Sequence, residues 1–91
     1  MFTSKNPYSG EILEEYAPIG PDVLQQKLDV AHSSFLHWRL EKLPRRLALI
    51  DLLAALLLDR KEALSRLMTA EMGKPISQAR AEIEKCAWLC T

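Results

Sequence analysis

Cys86 and Cys90 are the side chains of this 91-residue chain best suited to attack a carbonyl or hold a soft metal, and a spacing of four puts both thiols on one face of a helix. Nucleophilic work needs a base or a positive field to lower the thiol pKa. The neighbours Ala87, Trp88 and Leu89 supply neither, and Lys85 would have to fold back to help Cys86. Free cysteine is among the most buried residue types, so packing is the expected role of both. His32 and His37 lie five apart, about 500° around a helix, and so do not converge on a metal. Glu71 and Lys74 have the types of an acid and base pair, but the Gly73 and Pro75 punctuation marks a helix end there and explains them structurally. Arg39, Lys42, Arg45 and Arg46 gather in one connection with Glu41 among them, which fits a solvated loop better than a phosphate-binding stripe. Type and spacing alone therefore nominate no catalytic residue.

The elements that would position these side chains are legible from punctuation and periodicity. Residues 1–18 read as a β-hairpin and turn: short strands near Phe2 to Lys5 and Glu11 to Tyr16 flank Asn6-Pro7-Tyr8-Ser9-Gly10, where Pro7 pre-sets φ and Gly10 can take a positive one. A two-stranded hairpin is marginal in water and needs something to lie against. Leu24, Leu28, Ala31, Phe35 and Trp38 then recur at spacings of 4, 3, 4 and 3, one stripe of a helix over 21–39 opened by Pro21. A second helix over 44–58 carries LALIDLLAALLL, with Leu47, Ile50, Leu53 and Leu57 on one face and Leu49, Leu52, Leu56 and Leu58 on others. A helix apolar nearly all round must be covered nearly all round. Asp59 followed by Glu62 resembles a capping box, giving a third helix over 59–72 with Leu64, Leu67 and Met68 inward and Gly73 as its left-handed stop. The fourth helix, 75–91, places Ile76, Ala79, Ile83, Cys86 or Ala87, and Cys90 along one side, and reaches Thr91 without a stop signal. The expected fold class is mainly α, four helices behind a hairpin, with faces that call for partners beyond these residues.

Twelve basic and twelve acidic residues give a formal charge of zero, so no field steers nucleic acid or anionic lipid to this surface. The apolar run from Leu47 to Leu58 is too short for a bilayer, which needs about 20 residues. The polar N-terminus is unlike a signal peptide, and two cysteines four apart do not form a secreted disulfide framework, so a cytoplasmic setting is expected.

Four ordered segments give this chain a family resemblance. Asn6-Pro7-Tyr8-Ser9-Gly10-Glu11 resembles the NP-x-T-G-E opening of aldehyde dehydrogenases, with Ser9 where Thr is usual. Ala31, Phe35 and Trp38 fall on that family's A-x-x-A-F-x-x-W pattern, with Ser34 replacing the second alanine. Glu71-Met72-Gly73-Lys74-Pro75 matches E-x-G-K-P, and Glu82 with Lys85-Cys86-Ala87-Trp88 follows at the expected interval, in forms similar to the succinate-semialdehyde dehydrogenase-like branch.

The resemblance implies an N-terminal portion of the NAD(P)-binding domain of an α/β enzyme that oxidises an aldehyde to a carboxylate. It also implies that the Rossmann core, the nucleophile and the general base lie in segments not represented here. With glycine only at 10, 20 and 73, no Gly-rich turn is present to cradle a pyrophosphate, so the chain carries no cofactor-binding residue and is expected to be inactive alone. The one site the resemblance carries over is a monovalent-cation neighbourhood formed by Glu82, with Glu84 as the alternative acid, and the carbonyl region of Ser4 or Lys5. The contrasting expectation is a helical interaction module that self-associates through its apolar faces.

Overall fold

The computed structural model describes residues 1–91 and is mainly helical. A hairpin of β1 (Phe2–Lys5) and β2 (Ile12–Tyr16) leads into α1 (Pro21–Trp38), α2 (Leu43–Asp59), α3 (Lys61–Met72) and α4 (Ile76–Leu89). The hairpin turn is built by Asn6, whose side-chain oxygen accepts from the N–H groups of Tyr8 at 2.9 Å and Ser9 at 3.3 Å. Gly10 closes it with φ 79°, donating its N–H to the Asn6 carbonyl at 2.8 Å. The antiparallel register pairs Phe2 with Tyr16 and Ser4 with Glu14, then slips so that Lys5 meets Ile12. That bulge leaves Leu13 unpaired opposite β1, and it is the one half-buried residue of β2.

Local signals set most helix ends. Pro21 occupies the first turn of α1, and Leu43 and Pro44 open α2. Gly73 ends α3 in the left-handed region at φ 71°, donating to the Thr69 carbonyl at 2.9 Å. The fourth helix, read from sequence as running through 91, stops at Leu89, where Cys90 and Thr91 fold back in a tightened turn and the Thr91 hydroxyl donates to the Trp88 carbonyl at 2.7 Å. Asp59 departs from expectation. It remains inside α2 instead of capping α3, because a single residue, Arg60, joins the two helices and no side chain caps the joint. Glu62, read as part of that cap, turns to Arg80 instead.

α4 packs between α2 and α3, and the buried set is small: Ala54, Ser65, Ala79, Ile83 and Ala87. Four of these five are alanine or serine, so the helix axes approach closely and little apolar side chain is enclosed. Between the two residues the sequence left open on α4, Ala87 takes the buried position and Cys86 is exposed, one residue and about 100° round the helix. Packing was the expectation for both thiols; Cys90 alone is half-buried. Leu67, expected inward, is exposed because it lies two residues and about 200° round α3 from the buried Ser65, while Leu64 and Met68 are half-buried as expected. α1 buries none of its stripe and packs extensively against no other element.

The result is a sheet of helices one layer thick. Its extents are 47 × 38 × 14 Å, and the last is little more than a helix diameter of about 10–12 Å. The radius of gyration is 17.3 Å where a compact chain of this length would give about 12 Å. Accessible area is 7559 Å², against about 5,400 Å² for a folded monomer of this mass. Domains are stable as two packed layers, and here one is present.

Candidate functional site

Polar side chains concentrate where the hairpin meets the α3–α4 joint. The Ser4 hydroxyl on β1 donates to the Glu71 carboxylate at 3.1 Å, across 67 residues of sequence. Beside it, a Cβ placed on Gly73 would sit 3.0 Å from Pro7 Cγ, so the joint needs glycine both for its positive φ and for the hairpin's approach. Lys74 forms an ion pair with Glu82 on the first turns of α4. Glu71 and Lys74 thus serve two different partners, not each other. Glu82, the acid that the resemblance associates with a cation, bonds this ammonium group, while Lys5 is exposed at the end of β1 opposite Ile12.

Two more ion pairs stitch α3 to α4. Arg80 donates through Nε to Glu62 at 2.8 Å and through a terminal nitrogen to the second carboxylate oxygen at 3.1 Å, and Lys61 reaches Glu84 at 2.9 Å. Spacings of 18 and 23 residues carry no local sequence signal, so these partners emerge only once the helices are antiparallel. Hydrogen bonding by Arg80 holds the Glu62 carboxyl below the usual carboxylate range; partial desolvation opposes this, and the charges of Arg80, Arg66 and Lys61 add to the lowering. A folded-state value below the unfolded one means that the stabilisation is complete above the ordinary carboxylate pKa and is lost as pH falls through the depressed value. Melting curves between pH 7 and pH 3 should therefore show a steeper acid loss for the wild type than for Glu62→Gln, with no difference in slope above about pH 5. Parallel curves would remove this pair from the pH response. Both groups are exposed, so the effect is small.

No three His, Cys, Asp or Glu side chains group to hold a metal ion. His32 stacks loosely near Phe35, with ring centroids 6.4 Å apart, and His37 meets the Ser33 carbonyl at 3.0 Å, so the two imidazoles diverge. Every carboxylate at the joint is tied to a hydroxyl or a cation. This constellation holds a hairpin to a helix pair.

The decisive comparison covers the whole chain. The aldehyde dehydrogenase family matches residues 1–91. The chain belongs to that family. It is 37% identical over 87 residues to N-succinylglutamate 5-semialdehyde dehydrogenase of Burkholderia mallei (strain SAVP1), covering 96% of this chain and 18% of the relative. It is 38% identical over the same number of residues to succinate semialdehyde dehydrogenase [NAD(P)+] Sad of Escherichia coli (strain K12), with 96% and 19% covered. A Burkholderia thailandensis (strain ATCC 700388 / DSM 13276 / CCUG 48851 / CIP 106301 / E264) enzyme of the first name matches at 34%. The chain therefore spans less than a fifth of the length of these relatives and corresponds to an N-terminal fragment of an aldehyde dehydrogenase. Two of the segments that carried the resemblance, the Asn6 to Glu11 turn and Glu71 to Pro75, touch each other through Pro7 and Gly73. No helix of this aldehyde dehydrogenase segment is long and apolar enough to cross a membrane.

Proposed function

We propose that this chain supplies the hairpin and outer helices of the nucleotide-binding domain of an aldehyde dehydrogenase that oxidises a semialdehyde to the corresponding carboxylate with NAD+ or NADP+ in the cytoplasm. The observation that carries this reading is the family match along all 91 residues in a layer that exposes most of its large apolar side chains. The names of the relatives support the substrate class, and one of them names NAD(P)+. The mechanical joint between Ser4, Pro7, Glu71 and Gly73 fits a scaffolding role, since it fixes the hairpin against α3 without presenting a free nucleophile.

The purified 91-residue chain, mixed with succinate semialdehyde and either NAD+ or NADP+, should give no rise in absorbance at 340 nm above buffer. Titration with either dinucleotide should give no binding heat. Turnover by this chain would overturn the assignment of the chemistry to other segments.

A second activity follows from the excess of about 2,200 Å² of surface over a compact monomer. Standard interfaces take about 800 Å² from each partner, so this excess, together with the exposed leucines of the helix faces, favours a reading of self-association. Size exclusion with light scattering should return a mass above the 10.4 kDa of one chain.

A further inference from the structure

We draw no further inference here: the strongest candidate, the exposed leucine-bearing face of α2, belongs to a chain that spans less than a fifth of the length of its relatives, and nothing in the structure shows what covers it.

Discussion

Ile83→Ala should cost about 2–5 kcal/mol, much of the stability that so thin a layer can have. Of the five buried residues, Ile83 alone has a large side chain; Ala54, Ala79, Ala87 and Ser65 allow the helices to meet but enclose little apolar volume. α4 contacts both α2 and α3, so removing the one branched side chain buried on α4 loosens two packings at once. Urea denaturation followed at 222 nm, at one fixed protein concentration, measures the loss. Leu67→Ala on the exposed side of α3 is the control and should change stability by no more than about 0.5 kcal/mol. Equal effects for the two variants would mean that the layer is not held together at Ile83.

Substitution at Gly73 should be the next most damaging change, and its cost divides into two measurable parts. Alanine at φ 71° pays about 1–2 kcal/mol for the left-handed conformation alone. It also brings a Cβ to 3.0 Å from Pro7 Cγ, so that the proline ring or the hairpin carrying it must give by a few tenths of an ångström. Gly10, with φ 79° and open space around it, carries the first cost without the second and is the natural reference. Gly73→Ala should therefore destabilise more than Gly10→Ala and, unlike it, should raise hydrogen exchange at the hairpin amides. Pro7→Ala combined with Gly73→Ala should recover the contact part and leave the conformational part. Additive effects in that double-mutant cycle would show that Pro7 and Gly73 do not press on each other.

The hairpin and the four helices were legible because their signals are local: Pro21, Gly73 and Pro75 act on their own backbone, and periodicity along α1 acts within one helix. Family membership was legible from four short segments in the right order. What sequence did not disclose was which apolar residues would be covered. LALIDLLAALLL reads as core throughout, yet only Ala54 is buried, because coverage depends on neighbours that residues 1–91 do not supply. Cys86 and Ala87 stayed open as alternatives on α4, since both fit a stripe of period 3.6 and only the packing of α4 against α2 and α3 decides for Ala87. Asp59 misled for a related reason: its acidic type favours a helix start, but continuous helical backbone up to Arg60 left no start for it to cap. The Ser4–Glu71, Arg80–Glu62 and Lys61–Glu84 partners had no sequence signature, because antiparallel packing alone brings them together.

The distance between Ser4 and Glu71 along the chain has a consequence for biosynthesis. A hairpin forms in about 1–10 µs, but a ribosome adding about 5–20 residues each second needs several seconds to pass from one of these residues to the other. Throughout that interval the strands have no helix to rest on, and the leucines of α2 emerge before α4 exists to shelter any of them. Translation speed, not the intrinsic folding rate, sets how long this N-terminal half is exposed to proteases and in need of chaperones.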